Sequence, residues 1–189
     1  MTQTNPLPDL AQLAADVRYV RDRFDIIDCI NRYCRGVDRF DVEMIASAYH
    51  ADAKDDRGAF VGHPKEYIAW LLPILQGAAG TSHNVSNITC EIDGDTAHTD
   101  SYVITFVWNK DGTAVLLGGA RYIDRLERRD GVWAIAHREA VMDFTFKTDT
   151  MPLPPGALTG VRGPEDRSYL RPLDLSPDAK RRWQETHPK

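Results

Sequence analysis

From about Leu10 to His50, apolar residues recur every three or four positions. Phe24, Ile27, Ile30, Cys34 and Val37 form one stripe and Val42, Ile45, Ala46 and Tyr49 another, which predicts two helices. Gly36 weakens the first near its end and Asp41 suits an N-cap of the second, leaving Val37 to Phe40 at the junction and Asp38 at a helix end. Pro64, followed by Tyr67, Ile68, Leu71 and Leu72, predicts a third helix that Pro73 and Gly77 would stop.

Beyond Thr81 the period changes. Asp93-Gly94, Asp111-Gly112 and Asp130-Gly131 are hairpin dipeptides between segments rich in Val, Ile, Thr, Tyr and Trp, which predicts four long strands in an antiparallel meander. Helices followed by strands, without βαβ alternation, give an α+β domain: a curved antiparallel sheet wrapped around N-terminal helices, a cone with an internal cavity. Gly118-Gly119 inside a strand marks a bend or bulge. Seven of the eleven prolines lie beyond Lys147. The expected organisation is an N-terminal arm (1–14), the α+β domain (15–147) and an extended C-terminal tail (148–189) suited to clasping a neighbour.

The strand from His98 to Trp108 is apolar on both parities, with Tyr102, Ile104, Phe106 and Trp108 opposite Val103 and Val107. Both faces are therefore expected to be covered, one by the cavity side and the other by a second subunit in a homo-oligomer, a dimer or trimer. A strand sandwiched between the sheet and the tail of one chain would read the same way.

The 189 residues suit one domain, and 42% hydrophobic with 27% charged residues is an ordinary globular composition. A net charge of −5 argues against a nucleic-acid partner, since phosphate binding needs a surplus of Lys and Arg. Cys29, Cys34 and Cys90 are odd in number and lack CxxC spacing, so reduced thiols in a cytoplasm are expected rather than a disulfide framework or zinc site. No signal-peptide stretch opens the chain, and the longest apolar run, Ile68 to Leu75, is too short to span a bilayer.

Asp38 and Arg138 sit on apolar faces, and His83 stands where a core strand should begin. Asp38 follows Cys34 by four residues on the first stripe, and an inward carboxylate needs a partner such as an imidazole, although helix-end capping explains it equally well. His83 lies in Thr81-Ser-His-Asn-Val-Ser-Asn87, polar on both parities where a core strand should begin; a hydrated strand or a structural histidine also fits. Arg138 shares its parity with Ala134, Ala136, Met142 and Phe144, so it serves either a ligand oxyanion or an ion pair with an inner carboxylate. Tyr33 stands beside Asp38 at the same helix end. The other histidines suit capping, surface or packing roles, no metal-ligand spacing occurs, and GxSxG, P-loop, GxGxxG and HExxH motifs are absent.

The order of elements, with Tyr33-Cys-Arg-Gly-Val-Asp38, His83-Asn-Val-Ser-Asn87, Arg121 to Trp133 and His137-Arg138, resembles SnoaL-like proteins of the nuclear-transport-factor-2-like superfamily over about residues 15–147. Asp166-Arg-Ser-Tyr169 is a weaker echo. The chain looks most similar to the cofactor-free lyases and dehydratases there: hexachlorocyclohexane dehydrochlorinase, scytalone dehydratase and bile-acid 7α-dehydratase. The resemblance implies an Asp38/His83 dyad, with Arg138 reaching the same cavity. Tyr33 matches a tyrosine of the bile-acid enzyme and a lysine of the dehydrochlorinase, favouring an oxygen-bearing substrate over a chlorinated one. Asp55 matches a cavity-lining position that is aromatic in the dehydrochlorinase; Tyr49, Tyr102, Met142 and Phe144 are further candidate substrate contacts.

On this basis His83 is the expected general base, Asp38 its orienting carboxylate, Tyr33 a hydrogen-bond donor and Arg138 the group that stabilises developing negative charge. The expected activity is loss of water from a hydrophobic, oxygenated aromatic or polycyclic molecule, without cofactor or metal. One alternative is a retro-aldol, formaldehyde-releasing cleavage of a lignin-type diarylpropane diol. Another, of a different class, is a ligand-binding or assembly module without a dyad. The family also contains polyketide cyclases and members without known chemistry, and fold alone does not choose among these.

Overall fold

A computed structural model describes residues 9–187, and the chain divides after Pro152 into a larger unit and a C-terminal one. The larger unit opens with helix α1, Leu10–Arg39, N-capped by Asp9, whose carboxylate accepts the Gln12 N–H at 2.7 Å. Its buried apolar face is Ile26, Cys29, Ile30, Tyr33, Cys34 and Val37, so Ile30, Cys34 and Val37 of the expected stripe face inward while Phe24 is 63% exposed. Asp22 lies on the buried face as well. Its carboxylate takes two hydrogen bonds from Arg128 Nη1, at 2.7 and 2.8 Å, and one from Trp133 Nε1 at 3.0 Å, fastening α1 to the last hairpin.

Gly36 does not loosen α1. The helix runs through it because a missing Cβ is what lets the next helix close in: a Cβ there would lie 2.7 Å from the Ile45 backbone nitrogen. The helix stops at Phe40, whose φ of 59° puts it in the left-handed region. Helix α2, Val42–Ala46, follows with Asp41 as N-cap, its Oδ1 accepting the Met44 N–H at 2.9 Å.

Strand β1 (Tyr49–Asp56) and the two-residue β2 (Val61–Gly62) precede helix α3, Pro64–Gln76. Pro73 does not end α3. It removes one backbone donor, yet the last turn continues to the C-cap Gly77. The meander follows as β3 (Ala78–Asp93), β4 (Thr96–Asn109), β5 (Ala114–Arg129) and β6 (Val132–Asp149). Its three turns are the Asp-Gly pairs, with Gly94, Gly112 and Gly131 all at positive φ.

The six strands lie in the order β2-β1-β6-β5-β4-β3, and β1 pairs parallel to β6. The sheet is therefore mixed rather than wholly antiparallel: α3 carries the chain from β2 at one edge to β3 at the other. Curved and unclosed, it packs against the helices with Val103, Tyr122, Leu126 and Ile135 in the common core, the α+β cone architecture. The other sheet face is not fully covered within the described residues; Tyr102 is 50% exposed there.

Gly118-Gly119 does mark an irregularity. Gly119 pairs with Phe144 and Ala120 with Met142, so β6 carries one extra residue, Asp143. A Cβ on Gly118 would meet Met142, while one on Gly119 would run into the Phe144 ring. Met142 and Phe144 thus belong to opposite faces.

The C-terminal unit, taken alone, is not extended throughout. Asp166 organises a 3-10 turn (Arg167–Tyr169), accepting the Ser168 N–H at 2.9 Å and the Val161 N–H at 3.0 Å. A helix α4, Pro177–Thr186, starts on the Ser176 N-cap with proline at its first turn. Among the described residues, no helix is long and apolar enough to cross a membrane.

Candidate active site

Asp38 stands in the last turn of α1, where the chain is held by the Asp41 N–H donating back to the Gly36 carbonyl at 2.8 Å. Facing it, β3 turns Thr81 and His83 inward. His83 Nδ1 lies 2.6 Å from Asp38 Oδ1, the His83 backbone N–H donates to Oδ2 at 2.9 Å, and the Thr81 hydroxyl donates to Oδ1 at 3.0 Å. The carboxylate that α1 buries is thus met by three donors, which offsets its desolvation. With Nδ1 facing a carboxylate, the ring proton belongs there and Nε2 is left as the basic nitrogen.

His83 forms part of the wall of a cavity of about 350 Å³, large enough for a small organic ligand. Its walls are mostly apolar: Val37, Leu71, Leu75 and Val107 from several elements, with the small Ala120 and Ala140 on β5 and β6. Trp70, Ile74 and Met142, all partly exposed, form its rim. A second cavity of about 200 Å³ touches the dyad from the α1 side, lined by Asn31, Arg35 and Arg39 besides Asp38 and His83.

Tyr33, Tyr67 and Tyr122 supply the phenols of the larger cavity. Tyr33 and Tyr67 share a hydrogen bond of 2.6 Å between their hydroxyls, so only one proton is used and the other hydroxyl hydrogen remains to be donated. Burial pushes the Tyr67 and Tyr122 hydroxyls well above the ordinary phenol value, keeping them protonated.

The resemblance-based residues distribute unevenly. His83, Tyr33 and Met142 line the cavity and Asp38 lies directly behind His83. Arg138 does not: it is fully buried in a two-pronged ion pair, Nε and Nη2 each 2.6 Å from Asp124 oxygens, and it stacks against Tyr122 and Tyr33 at 4.1 and 4.4 Å. Its partner is Asp124, not Asp38, because Arg138 and Asp124 are cross-strand neighbours in the β5/β6 register. Tyr49 and Asp55 also sit outside the cavity wall; the Tyr49 hydroxyl donates to Asp55 Oδ2 at 2.6 Å. Tyr102 has the parity opposite to the inward Val103, and Phe144 is shifted to the outer face by the Asp143 bulge, so neither contacts the cavity.

Arg57 and Tyr67 lie outside the residues that the sequence marks. Arg57 follows β1 directly, its Nε and Nη2 bonded to the two Asp55 oxygens at 2.6 and 3.1 Å and its Nη2 also reaching the Tyr49 hydroxyl at 3.3 Å. Its guanidinium lies 4.3 Å from the Tyr67 ring centre and forms part of the cavity wall. Burial would favour losing its charge, but the surrounding tyrosines and Asp55 outweigh that and hold its proton more firmly than usual. In sequence the run Asp55-Asp56-Arg57 reads as a solvated strand end, so no signal singles Arg57 out.

A family model described as a SnoaL-like domain matches residues 18–139, more than half of the chain. No curated protein matches. Among solved structures, a provisionally named scytalone dehydratase from Novosphingobium aromaticivorans is 22% identical with a TM-score of 0.63, covering 77% of this chain and 99% of that one. The hexachlorocyclohexane dehydrochlorinase LinA-type3 from Novosphingobium barchaimii is 22% identical with a TM-score of 0.66, covering 74% and 99%. A Mycobacterium tuberculosis protein of unknown function is 23% identical with a TM-score of 0.61, covering 68% and 75%. At these identities the likeness to the solved structures is one of fold.

Proposed function

The chain belongs to the SnoaL-like family, and on that premise we propose that it is a lyase that removes water from a hydrophobic, oxygenated small molecule by Asp38/His83 base catalysis, with no cofactor in any step. The observation that carries this reading is the 2.6 Å pairing of His83 Nδ1 with Asp38, in a ring that lines a largely apolar cavity. The dehydratase and dehydrochlorinase names of the similar structures support it.

His83 Nε2 takes a proton either from a carbon next to a carbonyl or from a phenol hydroxyl whose ring carries the departing hydroxyl on its benzylic carbon. Asp38 holds the ring tautomer and stabilises the imidazolium. The released electron pair moves in to form the double bond of an enone or a quinone methide, the carbon–oxygen bond breaks, and the departing hydroxide takes the proton from the imidazolium to leave as water. The free hydroxyl proton of the Tyr33/Tyr67 pair hydrogen-bonds the departing oxygen or the carbonyl; Tyr67, held protonated by burial, acts without ionising. Positioned base catalysis contributes about 10² to 10⁴ in rate. The aromatic wall favours substrates with ring systems.

The test is a panel of β-hydroxy ketones and phenolic benzylic alcohols, followed by the absorbance of the new conjugated bond. Wild-type turnover that collapses in His83→Ala, with the fold intact by circular dichroism, supports the reading. Equal turnover by both proteins defeats it.

A further inference from the structure

Arg57 is the cation of the cavity wall; the remaining lining residues are apolar, aromatic, hydroxylic or His83 itself. Both buried guanidiniums of this region are gripped in the same way, through Nε and Nη2, by a carboxylate: Arg138 by Asp124 and Arg57 by Asp55. In each case Nη1 is the corner left over. For Arg138 that nitrogen is sealed from solvent with no partner, whereas Arg57 Nη1 is not sealed in this way and the Arg57 side chain keeps 13% exposure. No acceptor for Arg57 Nη1 occurs among the described residues. Asp55, fully buried, and the Tyr49 hydroxyl fix the fork, and Tyr67 stacks on its face, so the guanidinium is held in place in the cavity wall before any ligand arrives. The turn itself needs only the backbone bond from the Arg57 N–H to the Phe60 carbonyl at 2.8 Å. A buried arginine, carboxylate and tyrosine assembly is therefore more than the turn requires.

We propose that Arg57 is the oxyanion-binding residue of the site: Nη1 holds the carbonyl or phenol oxygen on which negative charge grows while His83 removes the proton. This rests on the elimination reading above and narrows the substrate to molecules that form an enolate or phenolate. A fixed donor held beside a developing charge lowers the barrier without reorganising. Arg57 also succeeds Arg138 in the role expected from the resemblance, since both are paired to a carboxylate but only Arg57 forms part of the cavity wall, while Arg138 Nη1 is sealed away.

The experiment uses p-nitrophenol and its uncharged ether p-nitroanisole as probes of the whole protein. Wild type and His83→Ala should both bind nitrophenolate at least tenfold more tightly than nitroanisole, with the bound phenol ionising at lower pH than the free one. The paired variant Arg57→Met/Asp55→Leu, which leaves no buried charge unmatched, should abolish that preference and lower kcat on the substrate found above by about 10² to 10³, as loss of one oxyanion donor does. Wild type that binds the two probes equally, or binds neither, overturns the assignment even if the paired variant fails to fold. A paired variant that folds and keeps the preference also overturns it. The elimination reading fails separately: full turnover by His83→Ala defeats the dyad while leaving the anion preference in place.

Discussion

Asp38 grips His83 at two points, ring Nδ1 at 2.6 Å and backbone N–H at 2.9 Å, one carboxylate oxygen for each. The residue that orients the imidazole also sets the position of the strand carrying it.

Asp38→Asn should therefore cost activity and stability together. An amide cannot accept at both oxygens, and its NH₂ turned toward Nδ1 would select the wrong tautomer. A fall in kcat of about 10² to 10⁴, with a stability loss of about 1 to 3 kcal/mol by urea titration, is expected. His83→Ala should match the kinetic loss with a smaller stability change, because the backbone bond survives.

Arg138 and Asp124 are both fully buried, so removing one leaves the other charged without a partner. Asp124→Ala should destabilise the protein by about 3 to 5 kcal/mol. Arg138→Met/Asp124→Leu should recover most of that in chemical denaturation; if the paired variant is as unstable as the single one, the ion pair is not the source of the loss.

Above neutral pH the buried phenols and thiols set the stability. Burial lifts Tyr49, Tyr67 and Tyr122 well above the ordinary phenol value, and pushes Cys29 up to about 11 and Cys34 up to about 12. Groups whose folded pKa is raised stabilise the fold fully below their unfolded pKa and lose that contribution as pH climbs toward the folded value. Unfolding free energy should decline from about pH 9 upward, where unfolded thiols begin to ionise. Absorbance at 295 nm should show these three of the seven tyrosines ionising only together with unfolding.

Gly36→Ala tests packing against propensity. Alanine favours a helix interior over glycine by about 1 kcal/mol, but its Cβ would lie 2.7 Å from the Ile45 backbone nitrogen, which no side-chain rotation relieves. A net loss of about 1 to 3 kcal/mol, read from the urea midpoint, is the expected result.

The meander, its Asp-Gly turns and the Asp41 cap were legible because each depends on residues close in sequence. The face that α1 buries was harder to read: Phe24 looks like core by hydrophobicity, but the register is chosen by tertiary partners such as Asp22 with Arg128 and Trp133, which are distant in the chain. Asp38 and His83 stood out as polar residues where apolar ones fit. Arg57 did not, since a charged strand end looks like any solvated turn until Tyr67 and the cavity close around it. Phe144 fails for a local reason, since the extra residue Asp143 in β6 inverts the alternation from which its face is read.

His83 rides on β3, which has a strand on one flank only, at the margin of the sheet. The irregular step around Asn87, at positive φ, further interrupts its ladder to β4. Margins fray before interiors do. Warming should thus peel the histidine from its carboxylate while the rest of the curved sheet is still folded, and heat inactivation should precede melting by several degrees, reversibly on cooling.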